Sequence, residues 1–304
     1  MLFLPAPGLA QDAIVEGRIK DMLKWIPRRN RLSTDWPDAL YPPHEDGENW
    51  RLVLPFQETF VNCFRQMCSD VDHHVHISKK SRCCIFLNDS QWNEESVKQV
   101  QSWVKTTGKY VAIRDCLALS FALDYRTEGG DPNKPRTQVG DLCRRAKPYG
   151  ANESYDRDAA KELAKLCADF LKEMTCYDLA DCIVSMPPSR PDKPFDLPEF
   201  LAGHIASAVK KPHLAHAIQT VKSRRQLKAV SLKDKLKVLS GTVRVDPKAF
   251  KDKNVLIVDD LYQSGASVNY VAMLLQQSGA RSISALACEK TAGNADNVDE
   301  QDSE

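Results

Sequence analysis

The sequence predicts an α/β protein with a central parallel sheet in its C-terminal half, and three observations carry this. Short apolar runs alternate with amphipathic stretches from Asp156 to Cys288. The run Val255-Leu256-Ile257-Val258 ends in Asp259-Asp260, then a hydroxyl-rich turn centred on Gly265 opens an apolar-striped segment. Upstream, residues 82–113 read as strand, helix, strand, a smaller α/β region of their own.

In chain order, Cys83–Leu87 is a short apolar strand. Glu94–Lys105 is an amphipathic helix with Val97, Val100 and Val104 on one face, ended by Gly108. Tyr110–Ile113 is a second strand, and the β-α-β order favours parallel pairing. Gly129 to Arg136 is a Gly/Pro/Asp loop, expected as a boundary or mobile segment. Asp156–Met174 places Ala159, Leu163, Leu166, Cys167, Phe170 and Leu171 at helical spacing. Cys182–Met186 is a buried strand stopped by Pro187-Pro188. Leu197–Val209 is a helix with Phe200, Leu201, Ile205 and Val209 inward. Val255–Val258 is a strand, Ser267–Ser278 a helix with Gly279 at its C-cap position, and Ile283–Cys288 a strand.

The 304 residues suit one large or two ordinary domains. With 42% hydrophobic and 27% charged residues the chain is ordinary for a globular protein, and a net charge of +1 gives no electrostatic case for nucleic acid or membrane. The 10 cysteines lack CxxC spacing and read as reduced, mostly buried thiols of a cytoplasmic protein. Pro5 and Pro7 break the apolar start, so no signal peptide is expected, and no apolar run reaches membrane-spanning length. The cluster Arg18, Lys20, Lys24, Arg28, Arg29 and Arg31 reads as a solvated basic face. His74 and His76 share a strand face but lack a third ligand at zinc spacing. The expected organisation is an N-terminal region of unread role (1–115), a C-terminal domain (116–292) and a disordered acidic tail (293–304).

The chemistry lies in Asp259 to Ser267. Carboxylates at the C-terminal end of a strand stand where open α/β sheets bind ligands. A turn into a helix presents backbone N–H groups at a positive helix end, which is an anion site. Gly265 permits a close approach, and Ser264 and Ser267 add hydroxyl donors. Asp259 and Asp260 can accept from a sugar diol or hold magnesium through water. The combination suits a sugar phosphate.

This stretch resembles the 5-phosphoribosyl-1-pyrophosphate (PRPP) motif of type I phosphoribosyltransferases, sharply over 255–267, fairly over 180–291 and faintly over 117–180. The resemblance implies the type I phosphoribosyltransferase fold. It implies that Asp259 and Asp260 hold the ribose, while Gln263, Ser264, Gly265, Ala266 and Ser267 hold the 5-phosphate. Ser189 and Arg190, after the strand at 182–186, fit the pyrophosphate loop, and magnesium enters through the PRPP pyrophosphate. Val221 to Leu227 resembles a flexible hood, with Lys222, Arg224 and Arg225 covering the reacting centre. The order of parts, with Gly241 before the motif and Thr137–Leu142 plus Lys147 upstream, is closest to the competence-protein-F-like branch.

The implied activity is transfer of a phosphoribosyl group to an unidentified nitrogen acceptor. Gln263 stands where purine-salvage members carry a carboxylate, which counts against hypoxanthine or guanine as the acceptor. Tyr262 is large for its position and is expected to stack on or crowd the base pocket. A non-catalytic PRPP or nucleotide sensor, acting through residues 1–115 or a protein partner, stays open beside the enzyme. A homodimer is compatible with the family; DNA handling is the weaker third reading.

Overall fold

The computed structural model describes residues 9–24, 32–33, 40–42, 50–77, 83–87, 94–148, 154–190, 195–224, 227 and 230–291. Arg28, Arg29, Arg31, Arg225, Gln226 and the acidic tail lie outside these. In chain order the elements are α1 (Glu16–Lys24), β1 (Leu32–Ser33), β2 (Leu40–Tyr41), β3 (Trp50–Leu54), α2 (Phe60–Met67), β4 (His73–Ile77), β5 (Cys83–Leu87), α3 (Glu94–Thr107), β6 (Val111–Ile113) and β7 (Leu119–Tyr125). There follow α4 (Gln138–Ala146), α5 (Arg157–Glu173), β8 (Cys182–Ser185), α6 (Leu197–Val209), β9 (Ile218–Thr220), α7 (Lys235–Leu239), β10 (Val243–Val245), β11 (Asn254–Tyr262), α8 (Ala266–Gln277) and β12 (Ser282–Lys290).

The protein is α/β, built on a mostly parallel central sheet ordered β1-β6-β7-β12-β11-β8. Strands β7, β12, β11 and β8 run parallel, while β6 pairs antiparallel with both β7 and β1. Strand β11 has a partner on each side, Val255 pairing with Cys182 and Ile283. Both its faces are covered, which is why it reads as a continuous apolar run. Leu256 and Val258 pack with Leu286, Cys288 and the inner sides of α4, α5 and α6. Val255 and Ile257 pack with α1, α7 and α8. Burying each of these side chains contributes about 1.5–3 kcal/mol. The strand also runs further than its apolar residues, through both carboxylates to Tyr262.

The four-stranded sheet β2-β3-β5-β4 is antiparallel. This corrects the expected β-α-β unit: β5 belongs here, whereas β6 joins the central sheet. Local order fixes strand, helix and strand, but not whether the two strands meet. Phe60, Phe64 and Trp103 from α2 and α3 form one core with Phe170 of α5 and Phe121 of β7. The Thr59 hydroxyl donates to the Ile113 carbonyl at 2.7 Å and accepts from the Ser120 N–H at 3.1 Å. Core and sheet therefore run across the boundary expected at residue 115. The histidines of β4 make ring contacts, His74 stacking on Phe86 at 4.9 Å and His73 edge-on to Phe64 at 5.1 Å.

The Gly129–Arg136 loop is closed by pairing of Thr127 with Arg136 and leads straight into α4. Thr137 caps α4 by accepting from the Gly140 N–H at 3.0 Å. A Cβ on Gly140 would stand 2.1 Å from the Arg126 carbonyl oxygen, so the chain crosses here only without a side chain. Asp156 caps α5, accepting from the N–H groups of Asp158 and Ala159, both at 3.0 Å. Nine cysteines are buried and Cys84 is half-buried. Burial pushes the Cys68 and Cys83 thiols up to about 12, away from the reactive thiolate.

Candidate functional site

Residues 259–267 stand at the C-terminal ends of the parallel strands, and the pleat separates their two carboxylates. Asp260 faces α4, whose C-cap, Lys147, brings its ammonium to 3.2 Å from Asp260 Oδ2. Lys147 also lies 3.6 Å from Glu289 Oε1 on β12, and Arg126 donates to that oxygen at 3.0 Å. Burial works against the Lys147 charge, but Asp260 and Glu289 outweigh it and hold the ammonium above its ordinary pKa. Asp260 is therefore an ion-paired carboxylate.

Asp259 is in a different setting. Burial first, then the neighbouring Asp260 and Asp196 charges, push its carboxyl well above the ordinary range, against relief from Lys147 and the Asp260 N–H at 2.8 Å. Arg224 approaches from the segment after β9. Burial lowers its pKa and the Asp259 charge opposes that. Its Nε is buried without a hydrogen-bond partner among the described residues.

Gly265 has φ +76° and precedes α8. A Cβ there would lie 2.1 Å from the Tyr262 hydroxyl. Tyr262 is 3% exposed and lies under the turn, contrary to the expectation that it meets a base. Its hydroxyl donates to Asp115 Oδ2 at 3.0 Å and accepts from Asn269 Nδ2 at 3.3 Å. Asn269 Nδ2 also donates to the Gly265 carbonyl at 2.8 Å, and its Oδ1 accepts from the Cys116 N–H at 3.0 Å. Tyr262 and Asn269 thus strap the turn in place.

The turn also meets two lysines that sequence reasoning missed. Lys235 of α7 is fully buried and donates to Ser264 Oγ at 3.2 Å. Lys290, the last residue of β12, is 5% exposed and donates to the Gln263 carbonyl at 3.0 Å. Glu289 and Lys290 end β12 and Arg126 follows β7, a signal available only once the two strands are aligned. Lys235 had no signal, because it belongs to a charged segment of unremarkable spacing.

Strands β9 and β10 form an antiparallel ribbon beside the site. The Thr220 hydroxyl donates to the Pro188 carbonyl, and the Arg224 N–H donates to the Ser189 carbonyl at 3.3 Å. The segment at 220–224 is thereby tied to the loop after β8. Ser189 is half-buried in that loop; Arg190 and Lys222 are exposed. Ser185 donates to Glu199 at 2.5 Å, which places a further carboxylate at the start of α6.

For a hard cation the fit rests on Asp259. It is a partly buried carboxylate crowded by two others, and a divalent ion would relieve that repulsion. Asp260 is committed to Lys147. Among the described residues no group of three or more His, Cys, Asp or Glu is gathered for a metal, so any magnesium would take most of its ligands from substrate oxygens and water.

No family model matches the chain, and no curated protein matches its sequence. Solved structures do resemble parts of it. A hypoxanthine phosphoribosyltransferase from Staphylococcus aureus matches over 43% of this chain and 64% of its own, under two thirds of its length, at 13% identity and TM-score 0.30. Adenine phosphoribosyltransferase from Leishmania tarentolae matches over 59% of this chain and 96% of its own, at 10% identity and TM-score 0.34. The Trypanosoma brucei adenine enzyme, solved with AMP, pyrophosphate and ribose-5-phosphate, matches over 61% and 90%, at 11% identity and TM-score 0.33. At such scores the fold of this chain rests on its own strand order.

Proposed function

We propose that this protein binds PRPP with magnesium and transfers its 5-phosphoribosyl group to a nitrogen acceptor, releasing pyrophosphate. One observation carries the reading: a carboxylate pair near the end of β11 is followed by a strapped left-handed Gly265 turn into α8, at the C-terminal ends of four parallel strands. The layout of parts favours the competence-protein-F-like branch.

In this reading Asp259 accepts from the ribose diol, while Asp260, neutralised by Lys147, fixes the strand end rather than the sugar. The turn at 263–267 receives the 5-phosphate. Ser189, Arg190, Lys222 and Arg224 surround the departing pyrophosphate, and Arg225 extends that basic rim in the sequence. As the C1–oxygen bond to pyrophosphate breaks, the acceptor nitrogen bonds to C1 and loses its proton. Fixed guanidinium groups favour the charge that develops on the leaving oxygen. Magnesium, when bound, would screen the pyrophosphate charge. The Gln263 amide cannot take the acceptor's proton, so an acceptor that ionises readily is favoured.

Calorimetry with PRPP and magnesium tests this, wild type beside Asp259→Asn. Binding that the variant loses supports the site, and a screen of nitrogen bases for pyrophosphate release follows. Binding without turnover on any base favours the sensor reading, for which Gln263 in place of an acid is the specific observation. No PRPP binding in the wild type sinks both.

A further inference from the structure

The register of the antiparallel sheet β2-β3-β5-β4 sets one row of side chains across its outer face. Tyr41 pairs with Arg51, Arg51 with Phe86, and Phe86 with His74. Residues directly opposite each other share a face. The alternating residues Leu52, Leu54, Cys83, Ile85 and Leu87 point the other way and are fully buried in the core with α2 and α3. The row itself stays accessible: Tyr41 is 41% exposed, His74 is exposed, and Arg51 and Phe86 are half-buried.

Every side chain in this row ends in a planar group. The Arg51 guanidinium lies over the Tyr41 ring at 5.4 Å. His74 stacks on Phe86, with ring centroids 4.9 Å apart and planes 9° from parallel. Further along β4 the exposed His76 stands at a steep angle to Phe86, at 6.4 Å. A sheet face turned to water ordinarily carries polar side chains. Aromatic surface left in water adds nothing to folding, and a cluster of it marks a place that a partner covers. Rings and a guanidinium in one row suit a partner with flat π groups of its own. Strands stand about 4.8 Å apart, so the row spans about 14 Å from β2 to β4. That gives room for about two or three bases of an extended strand.

Charge agrees. The connection from β4 to β5, Ser78-Lys79-Lys80-Ser81-Arg82, has three cations and no acid in its sequence. It lies outside the described residues, but it leaves the sheet at the end where Ile77, Cys83 and Leu54 align. The acids Glu45, Asp46 and Glu48 belong to the β2–β3 connection, which joins the opposite end, at Tyr41 and Trp50. The whole-chain charge of +1 averages this asymmetry away.

We infer that the outer face of this sheet binds single-stranded RNA, with bases stacking on the rings of Tyr41, Phe86 and His74. The ring nitrogens of His74 and His76 and the Tyr41 hydroxyl are polar atoms that a ribose 2′-hydroxyl, donor and acceptor at once, can meet. This binding is separate from the sugar-phosphate site at the end of β11, and either can fail without the other.

The test is fluorescence anisotropy on the full chain, with a labelled oligouridylate of about eight nucleotides and its deoxy counterpart. Saturable RNA binding is expected, weakened about fivefold or more in His74→Ala and in Tyr41→Ala, whose exposed side chains leave the fold intact. Phe86→Leu keeps apolar bulk without the ring and should lose as much; if it fails to fold, the other two variants decide. The deoxy oligomer should bind about fivefold more weakly, the scale of one hydrogen bond. Absence of saturable RNA binding overturns the inference, and so does unchanged affinity in His74→Ala and Tyr41→Ala. DNA bound as tightly as RNA overturns the assignment to RNA. Sedimentation measures the rival occupant: a wild-type dimer that His74→Ala splits, with no RNA bound, gives the face to a second copy of the chain instead.

Discussion

The Tyr262 hydroxyl lies 2.1 Å from where a Cβ at Gly265 would stand. The same tyrosine forces residue 265 to be glycine and holds the helix that follows. Gly265→Ala is therefore expected to cost about 3 kcal/mol, from left-handed strain plus overlap, and to abolish PRPP binding. Tyr262→Phe should not rescue it, because the ring carbons at 2.6 and 2.9 Å remain in the way. Urea melts of the two single variants and the double variant check this.

Asp259 carries a prediction about pH. Its folded carboxyl holds a proton more tightly than the unfolded one. The native state therefore binds more protons above the ordinary carboxylate pKa, and stability falls as pH rises from there through the folded value. Asp259→Asn should be more stable than wild type at neutral pH, by about 2 °C or more in Tm. The gain should vanish in acid below the ordinary carboxylate range. An equal or lower Tm at pH 7 would count against this account of Asp259.

Lys147 also loses stability as pH rises, but in a far higher window. Its raised pKa means that its contribution is complete at neutral pH and is lost only in strong alkali, as pH rises through the folded value. Lys147→Met leaves Asp260 and Glu289 facing each other and should cost about 2 kcal/mol, less than a fully buried pair because both Lys147 and Asp260 are partly exposed. Adding Glu289→Gln should recover part of that loss. Equilibrium denaturation of the two variants measures it.

Gly140→Ala should act on the site from a distance. The added methyl meets the Arg126 carbonyl, which is backbone and cannot swing aside. Helix α4 must shift, carrying Lys147 away from Asp260. Weaker PRPP binding together with a lower Tm is the expected pair of results, by calorimetry and thermal melts.

Much of the fold was legible because it is periodic. Helices α3, α5, α6 and α8 and strands β8 and β12 stand within a few residues of where apolar spacing put them. Strand β7 was missed although Leu119, Phe121, Leu123 and Tyr125 alternate with Ser120, Ala122 and Asp124; the alternation suggests one covered face, whereas residues 119–123 are buried on both. The acidic pair and Gly265 were legible as chemistry, but their surroundings were not. Whether Asp260 is free depends on Lys147, 113 residues earlier in the sequence, and the position of Tyr262 depends on Asp115. Such pairings are set by topology.

The core shared by α2, α3, α5 and β7 has a consequence for cooperativity. Helices α2 and α3 and the sheet that carries the site bury the same apolar surface, so they are expected to melt together. Ligand bound at the strand ends stabilises whatever unfolds with it, by RT ln(1 + [L]/Kd). Saturating sugar phosphate should therefore slow hydrogen exchange in α2 and α3 as well as at the turn. Helices α2 and α3 would then report occupancy of a site at the far strand ends.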